Sequence, residues 1–255
     1  MLWYKSWLES RWRFLIGLAL LLCSAATVVF TYPTVARLLP LLPVTDTGGE
    51  IGRRIRESAD LVRTYRGYVW SQWFSKNMPG MWTLFAALLG SGGLLPRTPG
   101  AGVLFTLSMP VSRSRLMGIR AATGLCELAI LAFLPSLMIP LFSPSVGESY
   151  GAGSALIHGA CLFIAGSVFF SLAFLLSTMV ADVWRPLLAV LVMAGTMSVL
   201  DQVSPVFGKY SVFRVMTGES YFRVGEIPWP GLFVSALIAS ALMYSAVVNF
   251  RQRDF

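Results

Sequence analysis

Long stretches of this chain carry no Asp, Glu, Lys or Arg, residues 14–30, 78–95, 154–177 and 231–249 among them. A run of about 20 apolar residues, as a helix, matches the hydrocarbon core of a bilayer, with a lower limit near 17. Two further segments, 116–142 and 186–203, are nearly as apolar. The first is interrupted by Arg120 and Glu127, the second by Asp201 near its end. No water-soluble surface can be assembled from such segments. Only 13% of the residues are charged, against roughly 25% in soluble domains, and mean hydropathy is +0.69. Lipid must therefore solvate much of the molecule. Backbone polar groups in lipid have to be satisfied within the segment, so the expected spans are helices.

The net charge of +8 sits in the connectors rather than on one stripe. That distribution suits lipid headgroups and topology, and it excludes nucleic acid as the expected partner. Cys23, Cys126 and Cys161 all fall in apolar segments without metal spacing, and read as small buried hydrophobes. The first apolar stretch is too long for a cleavable signal peptide and lacks a convincing small-residue cleavage site.

Residues 1–13 place Trp3, Tyr4, Trp7, Leu8 and Trp12 on one half of a helical wheel and Lys5, Ser6, Glu9, Ser10 and Arg13 on the other. This predicts a helix lying in the membrane interface; the alternative is the plain end of the first span. Tyr32 and Pro33 are expected to close span 14–30. In the long connector 31–76, Ile51, Ile55, Ser58, Val62, Tyr65, Val69 and Trp73 recur at steps of four and three, which predicts one or two amphipathic helices. Tyr65, Tyr68, Trp70, Trp73 and Phe74 read as an interfacial aromatic belt.

Span 78–95 opens with Pro79 in its first turn and ends in Gly90, Gly92 and Gly93, which permit close helix approach. Span 116–142 contains Pro135 and Pro140, expected to kink it or end it early. Glu127 lies about 11 residues in, near mid-depth. An intramembrane carboxylate is a functional candidate by default, weighed against a neutral or paired Glu that joins helices. Span 154–177 holds the single histidine, His158, which has no second ligand or base partner and reads as a satisfied interface residue. Span 186–203 follows a short connector with Asp182 and Arg185. The run 212–216 suggests a short re-entrant or surface helix. Span 231–249 carries the small pairs Ser235/Ala239, Ala236/Ser240 and Ala241/Ser245, suited to helix packing.

The stretch 90–120 organises the rest. A short apolar run, Val103 to Leu107, is followed by Met109-Pro110-Val111-Ser112-Arg113 and flanked by Arg97, Arg113, Arg115 and Arg120. The spacing permits one surface helix ended by Pro110. Leu104-Phe105-Thr106-Leu107-Ser108-Met109-Pro110-Val111-Ser112-Arg113 resembles the loop of ABC-2-type permeases, the membrane subunits of ABC exporters. Trp70-Ser71-Gln72-Trp73-Phe74 and the closing Arg251-Gln252-Arg253-Asp254-Phe255 are similar to that family as well. Where many members carry an acidic, glycine-threonine patch, this chain has Arg97-Thr98-Pro99-Gly100-Ala101-Gly102.

The resemblance implies an all-α membrane protein forming one domain over 1–255, with six transmembrane helices, an N-terminal interfacial helix and extracytoplasmic amphipathic helices in 31–76. It implies a multi-pass protein of the cytoplasmic membrane with both termini inside. The twenty Lys and Arg divide evenly between the two sides of that topology, so the orientation rests on the resemblance. The loop 96–115 would couple to a separate ATPase subunit, present in two copies, through Thr98, Gly100, Val103, Leu104, Leu107, Pro110, Ser112 and Arg113. ATP and Mg would bind that partner, and this chain would bind no cofactor. A second copy or a homologous permease would complete the path. The chain has no G-x-x-x-x-G-K-[ST] phosphate loop, HExxH, CxxC or G-x-S-x-G, and no clear internal repeat. An exporter subunit powered by another chain accounts for these absences. The rival readings are an intramembrane enzyme using Glu127 or His158, and a non-transporting scaffold or sensor.

Overall fold

The computed structural model describes residues 2–38, 60–92, 113–180, 182–203 and 211–251, and every element among them is helical. In chain order these are α1 (Leu2–Leu38), α2 (Tyr65–Val69), a π-helix (Trp70–Asn77), α3 (Met78–Gly90) and α4 (Arg113–Phe142). A 3-10 turn (Ser143–Val146) leads to α5 (Ala152–Met179), α6 (Trp184–Val203), α7 (Val212–Thr217), α8 (Glu219–Val224) and α9 (Trp229–Arg251). Five of them, α1, α4, α5, α6 and α9, are long and apolar enough to cross a membrane.

The bundle is built round α5, which packs against α3, α4, α6, α7 and α9, while α1 lies along α4 and α3. Bulky rings fill the centre: Trp73, Trp82, Phe169, Phe170 and Phe174 are almost wholly buried. The Trp82 indole N–H donates to the Leu128 carbonyl at 3.3 Å, and its ring lies where a side chain on Gly166 would otherwise sit. The opposite faces of α6 and α9 are apolar and open, as Leu188, Val192, Phe233 and Leu237 show; a lipid-facing helix is expected to look like this.

Several expectations change. Residues 1–13 are not a separate interfacial helix, because α1 is one continuous helix of 37 residues, about 55 Å long. Nothing between Trp3 and Phe14 breaks it, and Trp3, Tyr4, Trp7 and Trp12 stay exposed on its extension. Nor does Pro33 close the helix. The Thr27 and Thr31 hydroxyls bond back to carbonyls four residues earlier, and Tyr32 is clamped against Tyr65 and Tyr68. Pro135 and Pro140 likewise lie inside α4; Ser136 donates to the Ala132 carbonyl at 2.7 Å. Packing against neighbouring helices lets a proline stay inside a membrane helix.

Of the segment expected as span 78–95, the described part, 78–92, holds 13 residues of α-helix and is preceded by eight residues of π-helix. Pro79 supplies the reason: its ring clashes with the carbonyl four residues back, and the wider π-turn ahead of it gives that carbonyl room. The Met78 N–H accordingly reaches back five residues to the Trp73 carbonyl. Tyr65, Tyr68, Trp70, Trp73 and Phe74 are not an interfacial belt: all five are buried in the protein. Of the cysteines, Cys161 is buried but Cys23 and Cys126 are exposed on outer faces. Of the small pairs on α9, Ser235/Ala239 is buried, whereas Ser240, Ala241 and Ser245 face outward.

Candidate functional site

Two polar clusters stand out in this apolar bundle. The first joins α1, α3 and α4. Arg120 and Glu127 are seven residues apart on α4, two helical turns, so they share one face. That face meets Glu9, Ser10 and Arg13 of α1. The Ser10 hydroxyl donates to Glu127 Oε1. Arg120 Nη1 pairs with Glu9 Oε2 at 3.2 Å. Arg13 Nη1 donates to the Leu88 carbonyl at 3.0 Å, where the last turn of α3 presents carbonyls without helical partners and a cation is favoured.

Gly92 lies two residues past the end of α3, and its bareness matters. A Cβ there would lie 2.8 Å from Arg120 Nη2 and 3.1 Å from Arg13 Nη1. Two guanidiniums therefore converge on one stretch of backbone, offset by the carboxylates of Glu9 and Glu127. Glu127 is 4% exposed and its Oε2 has no hydrogen-bond partner among the described residues. Counting residues put Glu127 near mid-depth. Its side chain instead meets Ser10, in the charged margin ahead of the first uncharged run, because the wholly apolar part of α4 starts only after Glu127.

The second cluster is aromatic and gathers at the far end of α4. His158 near the start of α5 is buried and stacks on Phe74 of the π-helix at 4.4 Å between centroids. Tyr221 meets it edge-on at 5.5 Å. Its Nδ1 lies 3.1 Å from the Thr217 carbonyl, and the Trp70 indole N–H donates to the same carbonyl at 3.2 Å. Trp70 stacks on Phe222 at 4.3 Å and 6°, with the Arg66 guanidinium over the other ring. Tyr150 stacks on Phe74, and its buried hydroxyl has no partner among the described residues. Burial pushes that phenol above its ordinary range, with the Arg66 charge pulling the other way.

The two clusters are separate. Phe133 packs at Gly159 and Phe170 at Gly124, which fixes the antiparallel register of α4 and α5. Glu127 then lies on the order of 10 Å along the bundle from the level of His158. Among the described residues no group of three or more His, Cys, Asp or Glu could hold a metal ion.

Of the expected coupling loop, Thr98, Gly100, Val103, Leu104, Leu107, Pro110 and Ser112 lie outside the described residues. Arg113 is the first residue of α4. Sequence reasoning found Glu127 and His158 but missed their partners. The i,i+7 spacing of Arg120 and Glu127 was one available signal; nothing local pointed to Ser10 or to the Thr217 carbonyl. No protein-family model matches the chain, and neither a curated protein nor a solved structure was found to be similar to it.

Proposed function

We propose that this chain is the permease subunit of an ATP-driven exporter of the ABC-2 type, with the stretch Tyr65–Gly90 as a sixth crossing and both termini on the cytoplasmic side of a cell membrane. The observation that carries the reading is the cluster at Glu127. The stretch 93–112, which bears the permease-like motif, joins α3 to α4. Both helices are bonded to α1 beside that junction, α3 through Leu88 and α4 through Glu127 and Arg120. A force applied to the loop by a partner ATPase would therefore act on three helices together. In this reading two ATPase subunits hold ATP and Mg, and a second permease copy or a homologue completes a path for an amphipathic substrate. The membrane chain itself is not an enzyme.

The intramembrane-enzyme reading has less support. Glu127 and His158 belong to different clusters, Glu127 Oε1 bonded by Ser10 and His158 Nδ1 bonded to the Thr217 carbonyl. The exporter reading is tested with the chain reconstituted beside an ABC ATPase subunit from the same cell. The complex should hydrolyse ATP, and Leu104→Asp with Leu107→Asp should abolish assembly or turnover. Absence of any ATPase binding, or indifference to the double substitution, would overturn it.

A further inference from the structure

We propose that the helix pair α7–α8 is a latch, closed in this structure, whose catch is the Thr217 carbonyl. The pair contacts α5, α9 and α3 and uses two left-handed glycines. Gly218, at φ 63°, forms the turn between the helices, and Gly225, at φ 82°, ends the second. Both conformations are ones that glycine adopts at little cost.

The turn fits one side chain. A Cβ on Gly218 would fall 2.6 Å from His158 Nδ1, so the bare turn lets the imidazole reach the Thr217 carbonyl. That oxygen has two lone pairs and two donors, His158 from α5 and Trp70 from the π-helix. The catch thus pins the pair to two separate elements through a single atom. Beyond it, α8 lays Phe222 flat on Trp70 and Tyr221 edge-on to His158, while α7 buries Val215 and Met216 and sets Phe213 against Phe169. Glu219 pairs with Arg214 across the turn and with Arg223 within α8, which stiffens the pair, and Arg214 also ties it to Asp201 of α6 at 3.1 Å. Lifting it would bare the faces of Trp70 and His158 without unwinding α5. This inference concerns the chain alone in lipid and does not depend on the exporter reading.

A shared acceptor makes a distinctive prediction. With one donor removed, the carbonyl keeps the other and loses little. With both removed, it is buried and unpaired, which costs far more than one ordinary bond. Trp70→Phe and His158→Phe each keep a ring for stacking and delete the donor. Amide hydrogen exchange is measured on the whole chain in lipid nanodiscs. In the unaltered chain, amides of residues 215–224 should exchange together, well ahead of those in the middle of α5. Each single variant should speed them by about fivefold or less, and the double variant by more than the product of the two. Exchange in α5 should stay as it was. Three results would overturn the latch: exchange of 215–224 as slow as α5 in the unaltered chain, a double variant no faster than the product of the singles, or acceleration spread through α5. The first of these needs no substitution, so a variant that fails to fold does not remove the test.

Discussion

Ser10 and Glu127, 117 positions apart, are joined by a hydrogen bond between a helix-1 hydroxyl and the most deeply buried carboxylate among the described residues. Bonds to charged groups contribute about 1.5–3 kcal/mol net. Glu127→Gln keeps an acceptor for Ser10 and removes the cost of burying charge, so its unfolding midpoint should stay near that of the unaltered chain. Glu127→Ala should lose about 1–3 kcal/mol. A double-mutant cycle of Glu127→Ala with Arg120→Ala in detergent should return a non-zero coupling energy, about 0.5–3 kcal/mol. Strict additivity would mean that the two groups on the shared face of α4 do not act as one unit.

Gly166 leaves the space that the Trp82 ring occupies. The ring is fully buried and held by its bond to Leu128, so it cannot swing aside cheaply. Gly166→Ala should therefore destabilise the bundle by about 1–3 kcal/mol, as overpacking does. A thermal scan checks it. An unchanged midpoint would show that α3 and α5 are further apart than described here.

Tyr150 yields a pH dependence of known sign. Burial holds its phenol above the ordinary value of 10.0, so the folded chain binds this proton more tightly than the unfolded chain. The stabilisation is complete below about pH 10 and is lost as pH rises beyond it. Tyr150→Phe should flatten part of that alkaline loss. Since the hydroxyl has no partner among the described residues, the substitution should cost little at neutral pH, where removing an unpaired buried hydroxyl is close to neutral or stabilising. Stability curves of the two chains, compared from neutral to alkaline pH, decide both points.

The three cysteines should react in a fixed pattern. Cys23 and Cys126 face outward and Cys161 is buried. A lipid-soluble maleimide added to the folded chain should modify the first two and spare the third until the protein is unfolded. Early modification of Cys161 would contradict the packing of α5.

Much of the architecture was legible in the uncharged runs. In lipid an apolar run has no alternative to helix, so α5 and α9 follow from composition and length alone. The ends of helices were less legible. Tyr32-Pro33 looks like a stop, but Tyr65 and Tyr68 hold the helix together there, and they lie more than thirty residues further on. The aromatics from Tyr65 to Phe74 were misplaced for a related reason. Tyr and Trp serve equally at a lipid interface and in a core that offers acceptors, and only the fold shows that Trp70 finds the Thr217 carbonyl. Glu127 was recognisable as an odd carboxylate among apolar residues. Its bond to Ser10 was not, since a contact across 117 positions leaves no local periodicity.

The length of α1 has a geometric consequence. Ser10, bonded to Glu127, and Tyr32, packed between Tyr65 and Tyr68, belong to one unbroken helix. Their separation of 22 residues is close to six full turns, so both side chains leave the axis in nearly the same direction, about 33 Å apart. Such a rod acts as a spindle. Torsion applied at Ser10 must reappear at Tyr32, at the opposite end of the bundle, unless the helix first comes apart.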